Sequence, residues 1–118
     1  MTNEINTLHP TELWQNFYNL TQIPRPSKHE EKAVAHVVEF AKQQGLSFEK
    51  DSVGNVLIRK AATPGMENRT PVILQAHLDM VPQQNSGNGH NFETDPLTPR
   101  VVDGWVMEIG RASCRERV

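Results

Sequence analysis

The feature that most constrains this chain is the run Val72-Ile73-Leu74 together with what flanks it. Three consecutive β-branched or branched apolar residues without alternation describe a strand covered on both faces, as in the interior of an α/β sheet. Pro71 stands immediately before the run, and Gln75-Ala76-His77-Leu78-Asp79 carries it into a polar stretch rich in Asn, Gly and Pro at residues 81–99. A strand of this kind requires neighbours on either side and layers above and below. It therefore fixes the class as α/β and demands more structure than a single hairpin provides.

The remainder of the chain supplies two helices and several short strands. Trp14, Phe17 and Tyr18 recur at helical spacing and predict a helix over residues 10–20. Ile23-Pro24-Arg25-Pro26-Ser27 ends it, because the two prolines lack amide hydrogens and disfavour the helical conformation in the residues before them. Ser27 and Glu30 have the spacing of a capping box, which predicts a second helix running to about residue 44. Its buried stripe is Ala33, Val34, Val37, Val38 and Ala41, and Gly45 is placed to end it in the left-handed conformation.

A strand is expected at residues 46–51 with Phe48 facing the core, a turn at Gly54-Asn55, and a return strand at 56–60. Pro64-Gly65 marks a surface loop, and Asp103-Gly104 lies between Val101-Val102 and Trp105-Val106 as a hairpin turn. The expected architecture is a mixed sheet flanked by helices, cut short soon after its fifth or sixth strand.

Composition excludes several function classes. The 118 residues carry a formal charge of −2, with 36% hydrophobic and 22% charged residues. Such a balance gives no footprint for nucleic acid or an anionic membrane. No apolar run approaches the roughly 20 residues that span a bilayer. The opening segment contains Glu4 and no apolar core, unlike a secretory signal. A single cysteine, Cys114, precludes an internal disulfide and agrees with a reducing, cytoplasmic setting.

His77 and Asp79 are the candidate functional residues. They follow a buried strand, and ligands of open α/β sheets bind beyond the carboxyl ends of strands. Two residues apart on an extended backbone, they point to the same side. A neutral imidazole is a good zinc ligand, and a metal-bound imidazole commonly donates its other N–H to a carboxylate. The same pair is also compatible with a satisfied strand-end histidine and a capping aspartate. Spacing alone does not choose between these. His29 and His36 lie on or near the second helix, where solvation or packing explains them, His9 precedes Pro10 and His90 lies in the polar loop, and Glu30-Glu31 reads as a capping and solvent-facing pair.

Leu74-Gln75-Ala76-His77-Leu78-Asp79-Met80-Val81-Pro82 resembles the first metal-ligand motif of the cytosolic non-specific dipeptidases, also called aminoacyl-histidine dipeptidases or peptidase D. These are co-catalytic zinc peptidases related to aminoacylase and carnosinase. Ile23 to Glu31, Asp51 to Lys60 and Pro64 to Arg69 resemble the family's early loop, first hairpin and following loop, so the likeness spans residues 8–107. Ala76 stands where the wider superfamily usually has Gly, as in the dipeptidase branch.

The resemblance implies that residues 1–107 are the N-terminal part of a metallopeptidase catalytic domain. It implies His77 as a ligand of one of two Zn2+ ions and Asp79 as the catalytic aspartate that orients and polarises it. A metal-bridging hydroxide would attack the peptide bond of dipeptides, including Xaa-His dipeptides, and the full-length parent would be a homodimer. The related zinc amidohydrolases and a non-enzymatic interaction module are the alternative readings. The family's later ligands and its second domain are not encoded here, so the fragment alone is expected to be inactive. Residues 108–118, Glu108 to Val118, depart from the family and resemble the translation of a short-read sequencing adapter, so they are expected to be a non-native tail.

Overall fold

The computed structural model describes residues 4–108 and the backbone of Arg115–Arg117. Its elements are a 3₁₀ helix (Glu4–Thr7), α1 (Thr11–Thr21), α2 (Glu31–Gln43), β1 (Ser47–Lys50), β2 (Val56–Arg59), β3 (Arg100–Val102), β4 (Trp105–Met107) and β5 (Arg115–Arg117). They divide into two compact units, Met1–Ala33 with Asp79–Val118, and Val34–Leu78.

In the first unit, α1 half-buries Trp14, Phe17 and Tyr18, the face its periodicity predicts. Trp14 and Phe17 meet edge to face with centroids 5.5 Å apart, the arrangement ring quadrupoles favour. The helix ends where the sequence turns to Ile23-Pro24. Its last carbonyls find donors nonetheless: Thr21 Oγ1 donates to the Tyr18 carbonyl and the Arg25 guanidinium to that of Leu20, both at 2.6 Å. The 3₁₀ helix rests against α1 and β3. Ile5, Thr21, Met80, Leu97 and Val106 are among the buried residues around which this unit forms.

β3 and β4 make the hairpin expected around Asp103-Gly104, with Val101 opposite Val106. Both turn residues have positive φ, 50° and 75°. This matches a two-residue hairpin whose turn twists with its strands, and a glycine tolerates the second position without strain. β5 pairs antiparallel with β4, giving the order β3-β4-β5.

α2 buries Ala33, Val34 and Ala41 and half-buries Val37 and Val38, the stripe read from the sequence. It ends as expected at Gly45, whose φ is 66°. The N–H of Leu46 donates to the Ala41 carbonyl (2.9 Å) and that of Gly45 to the Lys42 carbonyl (3.0 Å), the double bond of a Schellman closure. The capping box expected at its start does not form. The Glu30 carboxylate accepts from the Lys28 N–H (2.6 Å), Ser27 turns its hydroxyl elsewhere, and the helix begins only at Glu31.

In the second unit β1 and β2 form an antiparallel hairpin with Phe48 opposite Ile58, both half-buried. The Asp51 carboxylate organises its turn, accepting from the N–H groups of Val53 (3.0 Å) and Asn55 (2.8 Å) and from the Asn55 amide (2.7 Å). Gly54 lies in the turn at φ 96°. Arg59 and Glu49 form an ion pair across the strands.

The helices and sheets agree with the α/β class, and both sheets are antiparallel. Parallel pairing among the described residues is limited to one bridge, Pro26 with Met80. Val72-Ile73-Leu74 corrects the expectation of a buried strand: the segment has no regular secondary structure, and the three residues are 80%, 88% and 92% exposed. A strand exists only through hydrogen-bonded neighbours, and none of the described segments pairs with this one. Of residues 108–118 the structure describes Glu108 and the backbone of β5. Cys114 lies outside the described residues.

Candidate functional site

Asp79 enters the first unit as the residue before Met80, and two backbone bonds fix it there. The Met80 N–H donates to the Arg25 carbonyl (2.9 Å), and the Ser27 N–H donates to the Met80 carbonyl (3.3 Å). This short parallel ladder places the Pro-Arg-Pro-Ser loop beside Asp79-Met80. Prolines suit such a position: Pro26 needs no hydrogen-bond acceptor of its own, and its ring is buried.

The third contact is between side chains. Ser27 Oγ donates to Asp79 Oδ2 at 2.5 Å, linking residues 52 apart in sequence. A hydroxyl bond to a carboxylate is charge-assisted and short for that reason. Beyond Ser27 the backbone reverses through Lys28 at φ 76°, a left-handed conformation unusual for a residue with a Cβ. The His29 N–H donates to the Pro26 carbonyl (2.9 Å), closing the turn.

The segment that leaves the site is irregular but tied down. The Gln84 side chain both donates to the His90 carbonyl (2.8 Å) and accepts from the His90 N–H (3.3 Å). His90 and Phe92 contact edge to face at 4.7 Å. The Asp95 carboxylate lies below its ordinary range, chiefly because the Asn91 N–H donates to it, with the Thr94 hydroxyl adding to the effect. Leu97 is held to the end of α1, its N–H donating to the Thr21 carbonyl (2.9 Å) and its carbonyl accepting from Gln22 Nε2 (3.2 Å).

His77, in the second unit, is exposed. Its imidazole is a donor suited to zinc, but the described residues contain no group of three or more His, Cys, Asp or Glu arranged to hold a metal ion. The donors present therefore fall short of a complete zinc centre, which takes about four ligands. Among the other histidines, His9 contacts Thr11 Oγ1 at 3.4 Å and His90 is engaged in its loop, in keeping with packing roles.

No family model matches the chain. A curated relative does: the cytosol non-specific dipeptidase of Escherichia coli (strain K12) is 50% identical over 107 residues, 91% of this chain. The chain is a relative of the cytosol non-specific dipeptidases. A solved structure, the aminoacylhistidine dipeptidase from Vibrio alginolyticus, superposes with a TM-score of 0.86 at 49% identity, covering 92% of this chain. The chain spans about a fifth of the length of these dipeptidases, 22% in each case.

Ser27 is the residue the sequence misassigned. Its spacing to Glu30 is a local signal for a helix cap, whereas its bond to Asp79 crosses 52 residues and leaves no periodic trace. The one hint was its place between a proline pair and a helix, where the chain is too constrained to be a generic linker.

Proposed function

We propose that this chain is part of a metal-dependent dipeptidase and contributes two residues to its active site: His77 as a metal ligand and Asp79 as the catalytic carboxylate. The observation that carries this reading is 50% identity across 91% of the chain to a dipeptidase. The position of Asp79 supports it: the Ser27 hydroxyl donates to its carboxylate, and the N–H and carbonyl of the neighbouring Met80 are both hydrogen-bonded, which preorganises the group.

The substrates are dipeptides, Xaa-His dipeptides among them, and the metal is zinc, two ions in the complete site. The protein is cytosolic, and the complete enzyme is a homodimer. No helix among the described residues is long and apolar enough to cross a membrane. Residues 1–107 belong to the catalytic domain, and residues 108–118 are a non-native tail.

The donors among the described residues do not make a metal centre alone, and the 118 residues are expected to hydrolyse no dipeptide. A zinc-supplemented assay over several dipeptides, with His77→Ala as control, tests this. Turnover that disappears in the variant would overturn the division of the site between this chain and the rest of a longer enzyme. The contribution of His77 is tested in a graft in which this chain's matched residues replace the corresponding segment of the Escherichia coli dipeptidase. His77→Ala is expected to lower bound zinc per subunit, measured by elemental analysis. Unchanged zinc content would remove His77 from the ligand set.

A further inference from the structure

The bond between Ser27 and Asp79 adds a side-chain contact to two segments that the backbone also joins. The backbone ladder through Arg25, Met80 and Ser27 already joins them, and α2 starts without using the Ser27 hydroxyl. Three features nevertheless bring that hydroxyl to the carboxylate. Pro26 is buried and fixes the backbone before it, Lys28 takes a left-handed conformation after it, and the Lys28 N–H is taken up by Glu30. A serine that merely capped α2 would need none of this. The left-handed lysine is the less expected feature, because such strain persists only where the surroundings impose it.

We propose that Ser27 is a positioning residue for Asp79. Its Oγ–H engages Oδ2 and selects one rotamer of the carboxylate. The inference rests on the reading of Asp79 as the catalytic carboxylate. It adds that the proline-flanked loop serves the active site rather than the helix that follows it. A hydroxyl suits this task better than a second charge. It contributes one donor in one direction and leaves the carboxylate its negative charge, whereas a lysine or arginine would neutralise it. Threonine offers the same donor, and alanine or valine offers none.

The test uses the graft described above, comparing Ser27→Ala, Ser27→Thr and Asp79→Ala in steady-state dipeptide hydrolysis. Partners that orient groups at metal sites are typically worth about 10–100-fold in activity. Ser27→Ala is expected to lower kcat by about 10-fold with KM little changed, and Ser27→Thr to restore most of the loss. A loss confined to KM, or a Ser27→Thr variant no better than Ser27→Ala, would overturn the positioning role. Asp79→Ala separates the two readings. If it is inactive while Ser27→Ala is normal, only the role of Ser27 fails; if it is fully active, the functional reading beneath it fails.

Amide hydrogen exchange on the 118-residue chain supplies a second readout that does not depend on activity. Met80 N–H should be protected, should exchange faster in Ser27→Ala, and should recover in Ser27→Thr. A Met80 amide unprotected in the unsubstituted chain, or equally protected in all three proteins, would contradict the positioning role of Ser27.

Discussion

At the scale of single residues, the carboxylates of Asp51, Glu30 and Asp95 hold irregular parts of this chain by accepting backbone hydrogen bonds. Asp51 shows the consequence most plainly. The Asn55 side-chain amide, followed by the backbone N–H groups of Asn55, Val53 and Gly54, holds its carboxyl below the ordinary value of 3.8. Because the folded value is depressed, the stabilisation is present above the unfolded-state value and is lost as pH falls through the folded one. The β1–β2 turn is therefore expected to loosen below about pH 4, followed by the amide chemical shifts of Val53 and Asn55. Asp51→Asn should show the loosened turn already at neutral pH and little further change in acid. Parallel acid titrations of the two proteins would contradict this. The turn was legible from Gly54-Asn55, whereas Asp51 reads from the sequence as the end of the strand before it, which stops at Lys50. The Ser27–Asp79 bond was not legible, since sequence patterns report local spacing and this contact joins two distant loops.

At the scale of elements, local chemistry determined most of what formed. The apolar stripe of α2, its glycine stop and the Asp103-Gly104 hairpin all appear within a residue or two of their expected places, because each depends on neighbours in sequence. Gly45 provides a clean test. A Cβ added there meets no heavy atom within 4 Å, so the only cost is its φ of 66°. Gly45→Ala should lower stability by about 1 kcal/mol and Gly45→Asn by less, since asparagine tolerates the left-handed region. Thermal melts followed by circular dichroism measure both. An alanine variant as stable as the parent would show that the Schellman closure does not hold α2 in solution. The start of α2 was misjudged for the converse reason: two competing uses of Ser27 were available, and only the folded chain shows which is satisfied.

At the scale of the whole molecule, Val72-Ile73-Leu74 is the segment where sequence and structure part. Its composition specifies a covered strand, while the three side chains stand 80–92% exposed. Burying such side chains is worth roughly 1.5–3 kcal/mol each, and unsatisfied strand edges favour pairing between chains. The 118-residue chain is accordingly expected to self-associate, with light scattering after size exclusion showing a mass that rises with concentration. Ile73→Lys should shift it toward monomer. A chain that stays monomeric at its highest soluble concentration would show that the exposed run does not drive association. The apolar run was legible in this sequence and its exposure was not, because the periodicity rule presumes strand partners and none of the described segments pairs with this one.

The central claim, that these residues bring the catalytic carboxylate of a dipeptidase, is tested most directly by the rate of dipeptide hydrolysis in the graft carrying Asp79→Ala. A fall of at least about 100-fold in kcat is expected, the upper end of what orienting groups at metal sites contribute, with the protein still folded by circular dichroism. A graft that hydrolyses dipeptides at the unsubstituted rate after loss of Asp79 would contradict it.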